Sequence, residues 1–240
     1  MITFEHVTKR YGKTDVVHDL NLTIPEGTTF GFLGQNGAGK TTTIKMLVGL
    51  TEPSAGRITI QGIPTTEARV REAIGFMPEA PYFYDRLTGL EFLRFCGELF
   101  SVTRHKTEEQ YVAILEMVGI ATAKNRAIST YSKGMKQRLG FAQALVNDPK
   151  YIFLDEPLDG LDPIGRKEIK EIVRGLKRQG KTVFFNSHIL YDTEALCDAI
   201  GVIHAGKLLY AGSVKEFCAG KPLEERFVEV VEHHKNKNAQ

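Results

Sequence analysis

The chain has 240 residues, and its near-balanced charge narrows the classes of protein to which it can belong. Lys and Arg number 31 against 29 Asp and Glu, a formal net charge of +2, so the composition lacks the basic footprint of a nucleic-acid-binding protein. The three cysteines are scattered without the spacing of a metal site, which favours a reduced cytosolic protein over a disulfide scaffold.

The sequence also carries no pattern for secretion or for membrane insertion. The amino-terminal stretch lacks a basic segment followed by an apolar one, so no secretory signal is expected. No apolar run approaches the roughly 20 residues that a membrane-spanning helix needs. If the protein works at a membrane, we therefore expect another chain to cross it.

Strands and helices are predicted to alternate around one longer helical segment. Alternating and apolar runs predict strands at residues 2–7, 16–24, 28–33, 57–61, 151–154, 181–186, 200–204 and 208–211. Helical periodicity predicts helices at residues 43–50, 164–179 and over most of 88–147. Residues 8–13 are expected to form a turn, and the charged residues 221–240 a tail in which a helix frays. The alternation predicts an α/β fold with a mainly parallel core sheet.

The first motif that points to a ligand lies between the strand predicted at 28–33 and the helix that follows it. Residues 34–42 have the sequence Gly-Gln-Asn-Gly-Ala-Gly-Lys-Thr-Thr, which fits the P-loop pattern G-x-x-x-x-G-K-[ST]. Backbone N–H groups at a helix N-terminus bind phosphates, a lysine adds charge at the outer phosphates, and a hydroxyl can bind Mg²⁺. The residues expected to contact the nucleotide are Gly34, Asn36, Gly37, Gly39, Lys40, Thr41 and Thr42.

A pair of carboxylates follows the apolar strand predicted at 151–154. Asp155 and Glu156 would emerge at the carboxyl edge of the core sheet, where ligands bind in open α/β folds. We expect Asp155 to hold Mg²⁺ through water and Glu156 to deprotonate the water that attacks the γ-phosphate. No Asn-Lys-x-Asp guanine-reading motif is present, because Asn236-Lys237 lacks the Asp, so ATP is favoured over GTP.

Taken together, the ordered motifs resemble those of the nucleotide-binding subunits of ABC (ATP-binding cassette) transporters over residues 2–212. Residues 131–137, Tyr-Ser-Lys-Gly-Met-Lys-Gln, lie where that family has its Leu-Ser-Gly-Gly-Gln signature. The resemblance implies that Ser132 and Gly134 face the γ-phosphate of ATP held by a second protomer. It also implies that residues 160–162 form the D-loop at the dimer interface, that His188 contacts the γ-phosphate, and that Tyr11 stacks on adenine.

One residue departs from the family pattern at the so-called Q-loop. The family has a glutamine there that binds Mg²⁺ and senses the membrane subunit, and this chain has Glu79. The metal ligands expected from the resemblance are therefore Thr41, Asp155 and Glu79. The aromatic residues within 80–88 have two open interpretations, a groove that receives a helix of the membrane subunit or ordinary packing of the helical lobe.

The resemblance implies both an architecture and a function. The expected fold is a P-loop NTPase with a mainly parallel core sheet, an N-terminal antiparallel β subdomain and an inserted α-helical subdomain. The ATPase domain would span 1–220, with the core and β subdomain at 1–80 and 148–212 and the helical subdomain at 81–147, followed by the tail at 221–240.

The expected activity is that of a Mg²⁺-dependent ATPase subunit, which forms a head-to-tail homo- or heterodimer. It would belong to the exporter branch of the family and power transport through integral membrane subunits. Such a protein would be cytoplasmic and peripheral on the inner face of the cell membrane, with no nucleic-acid partner. DNA-repair relatives would need a long coiled coil, and translation-type relatives would need two cassettes. A soluble ABC ATPase that serves an assembly or scaffold complex remains the alternative.

Overall fold

Strands and helices alternate along most of the chain in the computed structural model, which describes residues 1–100 and 106–238. The strands in these ranges are β1 (Ile2–Tyr11), β2 (Thr14–Ile24), β3 (Thr29–Leu33), β4 (Ala55–Ile60), β5 (Ile63–Pro64), β6 (Ile74–Met77), β7 (Tyr151–Asp155), β8 (Thr182–Ser187), β9 (Ala199–His204) and β10 (Lys207–Ser213). The α-helices there are α1 (Lys40–Leu47), α2 (Gly89–Glu98), α3 (Glu108–Met117), α4 (Lys133–Leu145), α5 (Pro163–Arg178), α6 (Leu190–Leu196), α7 (Val214–Cys218) and α8 (Leu223–Asn238). In these two ranges, no helix combines the length and the apolar composition that crossing a bilayer requires.

The core sheet is mainly parallel, as predicted. Its strand order is β10-β9-β3-β8-β7-β6, and every neighbouring pair is parallel except the β9–β10 hairpin. Strands β3, β7 and β8 are buried along their whole length, as expected for strands covered on both faces. Because β3, β7 and β8 run in the same direction, the residues that follow them meet at one edge of the sheet.

An antiparallel sheet is formed by the amino-terminal part of the chain. Its order is β2-β1-β4-β5, and Ile2 is paired with Ile24 on one side and Ile60 on the other. The prediction of a turn over residues 8–13 was wrong, because β1 continues to Tyr11 and the turn contains only Gly12 and Lys13. Gly12 has a positive φ of 59°, which a tight hairpin turn favours.

The predicted helical insertion is formed by α2, α3 and α4, with short 3₁₀ turns between α3 and α4. Thr88 begins α2 with a capping box, in which its hydroxyl accepts from the N–H of Glu91 and the Glu91 carboxylate accepts from the N–H of Thr88. The buried side chains of Leu93, Leu115 and Leu139 belong to one cluster that joins these helices. Residues 101–105 of this predicted segment lie outside the described residues.

The carboxyl-terminal segment is a packed helix and not the predicted charged tail. Leu223, Phe227 and Val231 of α8 are buried and share a cluster with Phe217 and Ile200. Their spacing of four residues places them on one face of a helix, and the charged residues between them remain outside that face. The apolar face therefore holds α8 against the core sheet's β9 side, while residues 239–240 lie outside the described residues.

Candidate nucleotide-binding and catalytic site

The glycine loop connects the end of β3 to the start of α1. Helix α1 begins at Lys40, which is three residues earlier than predicted, so Lys40 and Thr41 lie in its first turn. Gly39 precedes the helix with φ of 106°, and a Cβ at this position would lie 2.8 Å from the carbonyl oxygen of Val16. Glycine is therefore required there for both conformation and space, and the first N–H groups of α1 are available to an anion.

The Lys40 side chain is folded back over this loop. It is only 7% exposed, and its Nζ donates to the carbonyl oxygen of Gly34 at 2.8 Å. The same Nζ lies 3.7 Å from Oε1 of Glu156. The lysine charge is thus held between the phosphate-binding loop and the acidic end of β7.

Glu156 makes the contacts that connect three segments of the chain. It follows β7 in a left-handed conformation, with φ of 51°, and is 8% exposed. Its Oε2 lies 2.9 Å from Nδ1 of His188 and accepts from the His188 backbone N–H at 3.3 Å. An ionised carboxylate only accepts hydrogen bonds, so His188 Nδ1 is the donor. His188 follows β8, the strand beside β7, which is why two residues far apart in sequence come together.

Asp155 lies deeper than Glu156 and contacts different partners. It is 2% exposed, and its Oδ1 accepts from Nδ2 of Asn186 at 2.9 Å. The pKa of Asp155 is raised by burial first; hydrogen bonds from Asn186 and Thr41 oppose the shift, and the charge of Glu156 adds to it. Asp155 therefore connects the end of β7 with both β8 and the first turn of α1.

The donor set near Asp155 suits a hard divalent cation bound together with phosphates. Thr41 and Asp155 offer oxygen donors, which Mg²⁺ prefers, and Glu79 offers a further carboxylate on the wall of the same cavity. Among the described residues, no group of three or more His, Cys, Asp or Glu forms a metal site of its own. Mg²⁺ usually binds through one or two carboxylates plus substrate phosphates and waters, so the residues present fit this cation.

A cavity of about 380 Å³ brings most of the predicted residues together. Its lining includes the predicted residues Asn36, Gly37, Gly39, Lys40, Thr41, Thr42, Glu79, Glu156 and His188, together with Val16, Gln35 and Asp159. Gly34 and Asp155 are buried and contact Lys40 and Thr41 of its wall.

Besides Gly34 and Asp155, three predicted residues do not line this cavity in the described chain: Tyr11, Ser132 and Gly134. Tyr11 is 50% exposed at the β1–β2 hairpin, where Nζ of Lys9 lies 5.0 Å from its ring centroid. Ser132 and Gly134 lie at the start of α4, where the Ser132 hydroxyl caps the helix by accepting from the N–H of Met135 at 3.2 Å.

Two polar residues near the carboxylates were not predicted. Asn186 contacts Asp155 as described above, and Gln137 of α4 donates to the carbonyl oxygen of Pro157 at 3.4 Å. A signal for Asn186 exists in the sequence, since it is a polar residue at the carboxyl end of a strand predicted to be buried. Its partner could not be inferred because no local pattern specifies which strand lies beside β8.

The fold and the site together define a P-loop NTPase: a parallel sheet whose edge holds a glycine loop, a buried lysine and two carboxylates. Comparison with known proteins gives the family. The family model described as "ABC transporter" matches residues 17–159, and the chain belongs to this family.

Relatives and solved structures agree with this assignment. The chain is 48% identical over 206 residues to the ABC transporter ATP-binding protein sll0415 of Synechocystis sp., covering 85% of this chain and 58% of that protein. It is 40% identical over 220 residues to the bacitracin transport ATP-binding protein BcrA of Enterococcus faecalis, covering 90% of this chain and 70% of BcrA. The chain thus spans little more than half the length of the cyanobacterial relative.

Among solved structures, an ATP-binding subunit of an ABC transporter superposes with a TM-score of 0.88 at 28% identity, covering 96% of this chain and 99% of that one. A dimeric cassette, MJ0796, in a post-hydrolysis state bound to ADP and Pi, gives a TM-score of 0.82 at 25% identity over 89% of this chain and 99% of that one. The ABC ATPase fold expected from the motifs is confirmed.

Proposed function

We propose that the chain binds and hydrolyses Mg-ATP in the cavity above the glycine loop. The observation that carries this proposal is that Lys40, Glu156 and His188, which come from three separate segments, line one cavity, where Glu156 lies beside both of the others. The N–H groups at the start of α1 and the Lys40 amine bind the phosphates. Thr41, Asp155 and Glu79 hold Mg²⁺, which neutralises phosphate charge when bound.

Glu156 is the general base in this proposal. His188 fixes one carboxylate oxygen at 2.9 Å, and the other lies 3.7 Å from Lys40. When Lys40 turns to the phosphates, that second oxygen becomes free to accept a proton from the attacking water. A positioned general base contributes about 10²–10⁴-fold to a rate.

A second protomer completes the site by adding Ser132 and Gly134. The start of α4 offers backbone N–H groups beside an exposed serine, and the nearest atom to a Cβ on Gly134 would be 3.8 Å away, so a phosphate has room to approach. The MJ0796 cassette is dimeric, which supports a dimer here, and we propose that the two protomers of this protein pack head to tail. Tyr11, exposed on its hairpin, stacks on adenine.

We infer that this ATPase powers transport, in the direction of export, through separate integral membrane subunits. The names of relatives support this: BcrA is a bacitracin transport protein, and LnrL of Bacillus subtilis, 36% identical over 221 residues, is a linearmycin resistance protein. The protein would then be cytoplasmic and peripheral on the inner face of the cell membrane.

The surface that would bind the membrane subunit is rich in exposed aromatic side chains. Tyr82 is 87% exposed, and Tyr84, 54% exposed, packs edge-on against Phe95 at 5.4 Å between ring centroids. Large exposed apolar side chains of this kind mark protein interaction sites. We define Tyr82, Tyr84 and Phe95 as the aromatic surface and propose that a helix of the membrane subunit binds there.

The catalytic proposal is tested by replacing Glu156 with glutamine, which keeps the shape of the side chain and removes the base. Steady-state ATP hydrolysis should fall by about 10²–10⁴-fold while ATP binding persists. Glu171→Gln, which changes an exposed glutamate on α5, is the matched control and should keep full activity. Undiminished turnover in Glu156→Gln would remove this residue from the base role.

The transport proposal is tested by purifying the protein from its native membranes with its bound partners. A multi-span membrane protein should copurify, and Tyr82→Ala combined with Tyr84→Ala should release it. Tyr191→Ala, which alters a residue 78% exposed elsewhere, should retain it. Copurification with soluble proteins alone would favour the alternative of an assembly ATPase.

A further inference from the structure

Asn186 is a fully buried amide beside the carboxylate proposed to hold Mg²⁺. It is 0% exposed and lies near the carboxyl end of β8, directly paired with Asp155 in the parallel β7–β8 register. Its Nδ2 donates to Oδ1 of Asp155 at 2.9 Å. Adjacent parallel strands therefore place the amide and the carboxylate on the same face of the sheet.

The contact with Asp155 fixes which way the amide points. An ionised carboxylate accepts hydrogen bonds and donates none, so the amide nitrogen of Asn186 faces Asp155 and its Oδ1 faces elsewhere. Among the described residues, this buried Oδ1 has no hydrogen-bond partner. Buried acceptors are nearly always paired, so the oxygen requires a donor that the protein itself does not provide.

The surroundings of Asp155 indicate what that donor is. Asp155 also contacts Thr41, whose side chain lines the nucleotide cavity, so the amide lies one residue behind the proposed cation site. Water held by a cation keeps both of its hydrogens and is a strong donor. Such a water is small enough to reach a buried amide oxygen.

We propose that Asn186 is a positioning residue of the metal site, with Nδ2 fixing the Asp155 carboxylate and Oδ1 accepting from a water bound to Mg²⁺. This inference rests on the proposed function, since it requires a cation at Asp155. It assigns a purpose to a residue that no motif of the P-loop or of the Asp155–Glu156 pair includes. Removing a residue that hydrogen-bonds to a metal ligand typically changes the affinity for the metal 10–100-fold.

The test compares Asn186→Ala with Asn147→Ala. Asn147 is a matched control because its Nδ2 also donates a hydrogen bond of 2.9 Å, in this case to the carbonyl oxygen of Ile74, and its Oδ1 is also buried without a partner among the described residues. It contacts the amino-terminal end of β6, away from the nucleotide cavity. The measurement is the affinity of Mn²⁺ for the ADP-bound protein, followed by the EPR signal of free Mn²⁺.

We expect Asn186→Ala to weaken Mn²⁺ binding about 10–100-fold, while ADP affinity measured in EDTA changes less than about twofold. Asn147→Ala should leave both values unchanged. Unchanged Mn²⁺ affinity in Asn186→Ala, or an equal loss of ADP affinity with and without metal, would overturn the positioning role. Absence of any metal-dependent ADP binding in the unaltered protein would instead contradict the proposed function.

A structure of the unaltered protein with Mn²⁺ and ADP keeps the inference testable if Asn186→Ala does not fold. A water bound to Mn²⁺ should lie at hydrogen-bond distance, about 2.7–3.0 Å, from Oδ1 of Asn186. A protein donor at that distance, or a water that does not touch the metal, would show that the amide serves packing alone.

Discussion

Replacing Lys40 with methionine should weaken ATP binding without unfolding the protein. Methionine retains the apolar stem that is buried against the loop and removes only the charged amine. One ammonium hydrogen is already used by the Gly34 carbonyl at 2.8 Å, and the contact with Glu156 at 3.7 Å is given up when the amine turns to phosphate. The net loss is therefore about one charge-assisted hydrogen bond, or about 1.5–3 kcal/mol.

That loss corresponds to a roughly 10- to 150-fold higher Kd for ATP, because about 1.4 kcal/mol equals a factor of ten. Isothermal titration of the variant with Mg-ATP measures the change directly. Lys45→Met is the control, since Lys45 is exposed on the same helix and its charge points to solvent. A Kd within about threefold of the unaltered protein, or an equal loss in Lys45→Met, would refute the role of Lys40.

Four further outcomes follow from packing and from pKa shifts. A Cβ at Gly75 would overlap a carbonyl oxygen of α4, so Gly75→Ala should cost about 1–3 kcal/mol in denaturant unfolding. Gly175→Ala on α5, where a Cβ would meet only the Arg178 guanidinium at an ordinary contact distance of 3.8 Å, should gain about 0.5–1 kcal/mol. Hydrogen bonds, chiefly from Lys150, hold the pKa of the Glu26 carboxyl well below its usual value. The ionised carboxylate therefore stabilises the folded protein fully at pH values above the usual pKa, and this contribution is lost as the pH falls toward the lowered pKa. The difference in Tm between Glu26→Gln and the unaltered protein should therefore shrink from neutral to acidic pH. Burial raises the pKa of the Cys96 thiol to about 11, so maleimide should label it slowly in the native protein at neutral pH and rapidly after unfolding.

The parts of the site that the sequence could predict are those encoded by local patterns. The spacing of the glycines before Lys40 requires a strand, a tight loop and a helix, and the structure has all three. The carboxylates follow an apolar strand, and parallel strands end at the same edge of a sheet. For that reason Glu156 and Lys40 could be expected to meet before any coordinates were known.

Features that depend on pairing between distant segments could not be predicted in this way. Asn186 reaches Asp155 because the two residues are paired in the register of β7 and β8. Register is a property of two strands, so no single stretch of sequence contains it. The length of β1 was underestimated because residues 8–11 are polar and lie outside the core, partly buried at 8–9 and exposed at 10–11. They remain extended through ladder hydrogen bonds with β2 and β4.

The carboxyl-terminal helix is a different case, because its signal was present. Leu223, Phe227 and Val231 recur every four residues, which is the spacing of a helix with one apolar face. The many charges between them favoured a tail instead. Only the packing against β9 and α7 shows that the apolar face is covered.

The central claim is that ATP joins two copies of this cassette head to tail, and sizing of the purified Glu156→Gln variant tests it most directly. Light scattering coupled to size exclusion gives the mass with Mg-ATP, with Mg-ADP and without nucleotide. Because the variant binds ATP without consuming it, the account predicts a monomer that becomes a dimer in Mg-ATP alone. A variant that remains monomeric while titration shows ATP bound would contradict the shared site formed by Ser132 and Gly134 of one copy and the P-loop of the other.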